Sequence, residues 1–317
     1  MKIGIVGFGF VGRALFQFFK GGHQVWAYDK HLASHNSEES RVVINRCDLT
    51  FVAVPTPTGS DGMTCDLSAV EEVFTWLRTP ACVKSTIPPG TVDQLTRKFH
   101  IPVAFSPEYI GERPGHEWKA VDSCGYVIIG GSSEICELVM RAYSQVKNAS
   151  LHYHCTNAKM AELCKYMENC FLATKVAFVN QFFDIAQYLD LDFSELRELW
   201  LLDRRVGESH TVVNGERGFG GRCLPKDMKA TIAFTDSLGG APLLQAVVDF
   251  NEQVRGSGKA NDTSTGDNAF TPTPIRRKSS TRSSPTKALL DTESNFRYQG
   301  SDRFLPPPEN TKGRMFP

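Results

Sequence analysis

The stretch Lys2-Ile3-Gly4-Ile5-Val6-Gly7-Phe8-Gly9-Phe10-Val11-Gly12 decides the fold. An apolar run of strand length enters Gly7-x-Gly9-x-x-Gly12 and leaves into an apolar helix over Arg13 to Lys20. A second strand, Gln24-Val25-Trp26-Ala27-Tyr28, ends at Asp29, about where a ribose-binding carboxylate belongs. The glycines let a backbone approach a pyrophosphate seated on the amides of a helix N-terminus. Gly7, Gly9, Phe10, Val11, Gly12 and Asp29 are therefore the expected cofactor contacts. Asp29 would accept from ribose hydroxyls and repel a 2′-phosphate, which favours NAD over NADP. A chance glycine turn is the alternative, and the flanking strands speak against it. A signal peptide is a second alternative, and three internal glycines with a single basic residue ahead of the run disfavour it.

Working outward, Leu49-Thr50-Phe51-Val52-Ala53-Val54 is a continuous apolar run, read as a buried parallel strand and closed by Pro55-Thr56-Pro57-Thr58-Gly59. Loops at the carboxyl ends of such strands face the cofactor, which brings in Val54 and Pro55. A helical stretch from Leu67 to Leu77 precedes the strand Ala81 to Thr86, and further strands fall at Pro102 to Glu108 and Tyr126 to Gly131. Repeated strand, Gly/Pro turn and helix predict an α/β fold: a Rossmann-like doubly wound sheet over residues 1–150.

The second informative stretch is Gly218-Phe219-Gly220-Gly221-Arg222-Cys223-Leu224-Pro225-Lys226-Asp227. It places one cysteine between a glycine run and a helix start marked by Pro225. A helix N-terminus with Lys226 nearby favours the thiolate, so Cys223 is a candidate nucleophile. A buried structural cysteine is the competing reading. From Asn157 to about Tyr188 the chain has neither Gly nor Pro and keeps helical spacing, which predicts one long helix. Glu162, Lys165 and Asn169 share a face of it. They read either as a solvated polar stripe or as a cation and an amide aimed at a developing oxyanion.

The charge balance of 35 basic and 35 acidic residues points to no nucleic-acid or membrane surface. Nine cysteines without a CxxC pair fit a reducing compartment, and a cytoplasmic enzyme is the expectation. His152-Tyr153-His154-Cys155 alternates as a strand does and lacks a distant partner spacing, so no metal is expected.

Taken in order, Gly7-Phe-Gly-Phe-Val-Gly12, Val54-Pro-Thr-Pro57, Val83-Lys-Ser-Thr-Ile-Pro-Pro-Gly-Thr91, Phe105-Ser-Pro-Glu-Tyr-Ile-Gly-Glu112, Ala161-Glu-Leu-Cys-Lys-Tyr166 with Asn169, and the Gly218 to Asp227 stretch resemble the UDP-glucose/GDP-mannose dehydrogenase family. The resemblance covers residues 1 to about 255 and leans toward the UDP-glucose 6-dehydrogenases. It implies two NAD-linked oxidations at C6 of a nucleotide sugar, UDP-glucose favoured over GDP-mannose, through a Cys223 thiohemiacetal and thioester. It implies that Lys165 and Asn169 steady the oxyanion, that Asp227 orients water or Lys165, and that Thr86 holds the water and lies by the cofactor. Glu108 then stands near the reacting carbon. Glu112 contacts the catalytic and cofactor site, and Tyr109, Phe219, Gly220 and Gly221 join the substrate contacts. A small all-helical central domain over 151–255 with a homodimer contact is implied as well.

The sequence also departs from the family. The segment between Asp29 and Leu49 is short, Gly111 stands where arginine is common, and Arg222 stands where serine is common, adding a cation beside Cys223. Residues 256–317 are rich in Ser, Thr, Pro and Gly and are expected to be a disordered tail in place of the family's nucleotide-binding third domain. That replacement keeps open a second reading, an NAD-binding pseudoenzyme or regulatory subunit that depends on a full-length partner. A two-domain hydroxyacid dehydrogenase is a third, disfavoured by the Cys223 motif.

Overall fold

The computed structural model describes residues 1–110, 121, 123–146 and 151–260. In chain order the first part runs β1 (Lys2–Val6), α1 (Phe10–Phe19), β2 (Gln24–Tyr28), α2 (Glu38–Ile44), β3 (Leu49–Val52), α3 (Ser68–Trp76) and β4 (Ala81–Val83). It continues with α4 (Thr91–Phe99), β5 (Val103–Phe105), β6 (Tyr126–Gly130), α5 (Ser133–Ser144) and β7 (His152–Thr156). The seven strands form one sheet in the order β2-β1-β3-β4-β5-β6-β7. The first five are mutually parallel; β6 meets β5 antiparallel through Phe105 and Gly130, and β7 runs parallel to β6. The expected α/β doubly wound sheet is present, with β6 and β7 reversed against the rest.

Strand alternation divides the core between the two faces of the sheet. Val6, Val52, Val83 and Phe105 pack on one side with Phe74 and Leu95. Ile5, Phe51, Cys82 and Ala104 pack on the other with Leu15, Val139 and Tyr143. Each of the large side chains among these contributes about 1.5–3 kcal/mol by leaving water. The strand order reverses between β1 and β3, since β2 lies on one side of β1 and β3 on the other. A crevice at the carboxyl ends of strands flanking such a reversal is where this class of sheet binds its ligand.

Helix α2 stands where the sequence shows only a polar segment. Ser37 caps it by accepting from the Ser40 amide, two glutamates occupy its first turn, and Ile44 alone is buried, so it carries no apolar stripe for pattern reading to find.

The remaining elements are helical: α6 (Ala158–Tyr188), α7 (Phe193–Leu201), α8 (Leu224–Thr235), a 3-10 turn (Asp236–Leu238) and α9 (Pro242–Ala260). Asn157 starts the predicted long helix by accepting from the Met160 amide. The middle of α6 offers small residues, Cys170, Ala173 and Ala177, to Phe219, Met228, Ile232, Val247 and Val248. Among the described residues no helix is long and apolar enough to cross a membrane, and no His/Cys/Asp/Glu group is placed to hold a metal ion. The tail expected from residue 256 lies outside the described residues apart from the end of α9.

Candidate active site

The cofactor loop is built from backbone contacts. Gly7 sits at φ +90, a conformation side chains disfavour, and a Cβ there would meet the Ala53 carbonyl oxygen at 2.5 Å. A Cβ on Gly12 would overlap the Gly7 carbonyl oxygen, so α1 can lie this close to β1 only with glycine. Around Gly9 there is open space, and Gly9 is the N-cap of α1. The amides of Phe10, Val11 and Gly12 occupy the first helical turn and have no intrahelical acceptor. The loop is pinned by Asp29, whose carboxylate accepts from the Phe8 amide at 2.7 Å and the His31 amide at 2.8 Å. Val54 and Pro55 follow β3, and the Val54 carbonyl accepts from Ser85 Oγ at 2.6 Å. An open cradle at Gly9, flanked by two glycines that cannot be replaced without collision and by an acidic residue ending β2, fits a dinucleotide.

Cys223 occupies the N-cap of α8 and is exposed, and Pro225 lies in the first turn of that helix. The thiol is thus placed at a helix N-terminus, as its flanking residues predict. Distant side chains hold the preceding turn. Asn251 of α9 accepts from the Phe219 amide at 2.6 Å and donates to the Phe219 carbonyl at 3.1 Å. Asn180 of α6 accepts from the Gly218 amide and from Arg217 Nε, and Arg217 also meets Asp184 at 2.6 Å. Gly218 takes φ +56, and a Cβ on Gly220 would press on the Arg255 guanidinium. Phe219 is buried, while Gly221 and Arg222 are exposed.

On α6, Glu162, Lys165 and Asn169 are all buried, which removes the solvated-stripe reading. They serve three different neighbours. Glu162 accepts from the Gly90 and Val92 amides and so caps α4. Burial raises its pKa against the lowering effect of those two amides. Lys165 lies 4.4 Å above the Tyr109 ring and pairs with Glu168 at 3.2 Å. Burial, followed by the charge of Glu168, drives the Tyr109 hydroxyl far above the ordinary tyrosine range. Asn169 Nδ2 donates to Asp227 Oδ2 at 2.5 Å. Because a carboxylate only accepts, the Asn169 amide orientation follows from chemistry, and one N–H of its NH₂ remains for another acceptor.

Asp227 is fully buried, with Oδ1 2.7 Å from Lys226 Nζ. The same ammonium donates to Thr56 Oγ1 at 3.5 Å, and Thr56 Oγ1 donates to the Thr86 carbonyl at 2.9 Å. Asp227 and Thr86 are thereby joined through Lys226 and Thr56. Lys226, the cation expected near Cys223, is committed to Asp227. Cys65 completes this region: its thiol points to the Thr56 and Thr86 carbonyls, and burial raises its pKa.

Glu108 sits beyond β5 with Oε1 accepting from the Tyr109 and Ile110 amides and Oε2 3.3 Å from the buried Lys84 ammonium. Gly111 and Glu112 lie outside the described residues. Thr56, Lys84, Glu168 and Lys226 are the participants that sequence reasoning missed or cast differently. Only Glu168, three residues after Lys165, carried a spacing signal.

Residues 27–147 match the NAD binding domain of the UDP-glucose/GDP-mannose dehydrogenase family, and residues 159–253 match its central domain. The UDP-glucose 6-dehydrogenase of Pseudomonas aeruginosa is 31% identical over 223 residues, 63% of this chain and 47% of that protein. The UDP-glucose 6-dehydrogenase TuaD of Bacillus subtilis is 30% identical over 226 residues, 67% of this chain and 48% of that protein. The chain spans about half the length of the curated relatives it matches. Among solved structures, a UDP-glucose dehydrogenase from Pyrobaculum islandicum superposes with a TM-score of 0.68 at 28% identity, covering 80% of this chain and 68% of that one. A GDP-mannose dehydrogenase from Pseudomonas aeruginosa shares the fold, with a TM-score of 0.55 at 22% identity over 80% and 69% of the two chains. The chain belongs to the UDP-glucose/GDP-mannose dehydrogenase family, and its N-terminal half is that family's NAD-binding domain.

Proposed function

We propose that this member of the family is an NAD-dependent nucleotide-sugar 6-dehydrogenase, and that its substrate is UDP-glucose. The observation that carries the reading is Cys223: an exposed thiol at the N-terminus of α8, four residues ahead of an Asp227 that is tied to Asn169 on one side and to the Thr86 loop on the other. Support for UDP-glucose over GDP-mannose comes from relatives named UDP-glucose 6-dehydrogenase, which are about 30% identical to this chain.

Gly7, Gly9, Phe10, Val11, Gly12 and Asp29 hold the cofactor, with Val54, Pro55 and Thr86 at the neighbouring strand ends. NAD bound there supplies a hydride acceptor for each of two oxidations. Cys223 adds its sulfur to the C6 aldehyde, and the thiol proton ends on the new hydroxyl of a thiohemiacetal. Its oxidation leaves a thioester, and water then releases the carboxylate and regenerates the thiol. Lys165 and the remaining Asn169 N–H stabilise the oxyanion at C6 as it develops. Asp227 holds Asn169 in orientation, Thr86 positions the water, and Glu108 with Tyr109 fixes the loop beside Lys165. Phe219, Gly220 and Gly221 shape the sugar side.

The chain forms a homodimer through the helical domain of residues 151–255. Support comes from the outward face of α6, where Met160, Met167, Phe171, Phe178 and Tyr188 remain exposed at helical spacing.

The test is NADH formation from purified protein with UDP-glucose, GDP-mannose and UDP-N-acetylglucosamine, beside Cys223→Ala. Two NADH per UDP-glucose are expected, with turnover reduced by more than about 10³-fold in the variant. NAD binding without turnover on any sugar would sink the autonomous-enzyme reading in favour of a partner-dependent subunit, and sedimentation of the same preparation as a monomer would remove the dimer.

A further inference from the structure

Lys84 is a buried ammonium that the reaction above does not use. It leaves the carboxyl end of β4, two residues before Thr86, and its side chain is 3% exposed. Four oxygens surround it: Glu108 Oε2 at 3.3 Å, Ser106 Oγ at 3.3 Å, the Pro107 carbonyl at 3.1 Å and the Tyr143 hydroxyl at 3.4 Å. Tyr143 is itself held by Phe19 at 5.1 Å, Phe18 at 5.5 Å and Phe51 at 6.0 Å between ring centroids. Burial opposes the ammonium, yet the Glu108 carboxylate and the Tyr143 hydroxyl outweigh it and keep Lys84 charged. A buried charge is costly unless it is paired, so a fold that needed only packing here would be better served by an apolar residue.

What Lys84 does bind is one short loop. Three of its four partners are consecutive residues, Ser106, Pro107 and Glu108. The other Glu108 oxygen accepts from the Tyr109 and Ile110 amides, which turns the chain so that the Tyr109 ring lies against Lys165. Position therefore passes from the sheet to Lys84, to Glu108, to Tyr109 and to the Lys165 ammonium. We propose that Lys84 is a positioning residue that acts through Glu108, supplying the buried counter-charge that fixes the 106–110 loop and, through Tyr109, the Lys165 ammonium at the reacting carbon. This inference rests on the dehydrogenase reading for the meaning of Lys165.

The experiment is a double-mutant cycle of Lys84→Met and Glu108→Gln, with kcat per folded molecule, KM for NAD and the urea unfolding midpoint measured for all four proteins. Lys84→Met is expected to lower kcat by at least about ten-fold with KM for NAD within about two-fold, and to change kcat by less than about two-fold when added to Glu108→Gln. An equal loss in both backgrounds would show that Lys84 does not act through Glu108. A lower unfolding midpoint with kcat per folded molecule unchanged would leave it a stability residue. Either result overturns the proposal. Should Lys84→Met fail to fold, Tyr143→Phe removes one acceptor of the ammonium and is expected to give a smaller loss with the same dependence on Glu108. If the wild-type chain oxidises no sugar, the dehydrogenase reading fails by itself. The pairing of Lys84 with Glu108 is then decided by the unfolding midpoints, which fall with Lys84→Met in the Glu108 background but hold or rise in the Glu108→Gln background, where the ammonium has lost its counter-charge; an equal fall in both overturns the pairing.

Discussion

The turn from Gly7 to Gly12 and the turn from Gly218 to Gly221 both feed a helix N-terminus, α1 and α8, yet their glycines answer to different neighbours. In the first turn the neighbours are backbone: the Ala53 carbonyl against Gly7 and the Gly7 carbonyl against Gly12. In the second they are side chains of remote helices, Asn251 and Arg255 of α9 and Asn180 of α6. A turn locked by backbone contact is set once the sheet forms. A turn clasped by amide side chains needs the whole helical domain assembled before its cysteine is placed. The turn before α1 is thus fixed by backbone, and the turn before Cys223 is held by side chains that can repack.

The largest break in this comparison comes from Gly12→Ala. Its Cβ meets a carbonyl with no flexible end to move, so a loss above about 4 kcal/mol is expected, or no folded protein at all. Urea denaturation beside Gly9→Ala, whose Cβ enters open space, checks it. If Gly12→Ala unfolds at the wild-type midpoint, the backbone lock is refuted. Next is Asn251→Ala, which strips partners from the buried Phe219 amide and carbonyl at about 1–3 kcal/mol each. Cys223 is expected to react faster with iodoacetamide in this variant while NAD affinity holds, because the defect stays in the turn before Cys223. Weakened NAD binding would show that the two turns are not independent.

The smallest effect concerns Glu162, which joins the regions by capping α4 from α6. Its folded pKa is raised, so its contribution to stability is present below the unfolded carboxylate value and is lost as pH rises through the folded value. The urea stability of wild type relative to Glu162→Gln should therefore fall from pH 4 upward, by about 1.4 kcal/mol for each unit by which the pKa is raised. A difference that grows with pH would reverse the sign and remove burial as the dominant cause.

Local chemistry made much of this readable in advance. Asn157 and the Gly-free, Pro-free run to Tyr188 announce α6, and Cys223 before Pro225 announces a thiol at a helix start. Asp29 at the end of β2 needed only the glycine motif ahead of it. The polar face of α6 was the ambiguous case, because Glu162, Lys165 and Asn169 have the same spacing whether they meet water or protein. Burial separates them into a helix cap, a cation over Tyr109 and a partner of Asp227. Nor does any local pattern link Lys84 to Glu108, 24 residues apart, or Lys226 to Thr56, 170 residues apart.

The sequence by itself determined most of the elements, the glycine cradle with Asp29, a thiol at a helix start and the resemblance to the family, because each rests on residues close enough in the chain to constrain one another's backbone. Only the tertiary structure decided which buried groups face each other, that Asn169 serves Asp227 and Lys84 serves Glu108. The reason is physical: a charge taken out of water must find its partner within a few ångströms, and that partner is brought there by strand order and helix packing rather than by spacing along the chain.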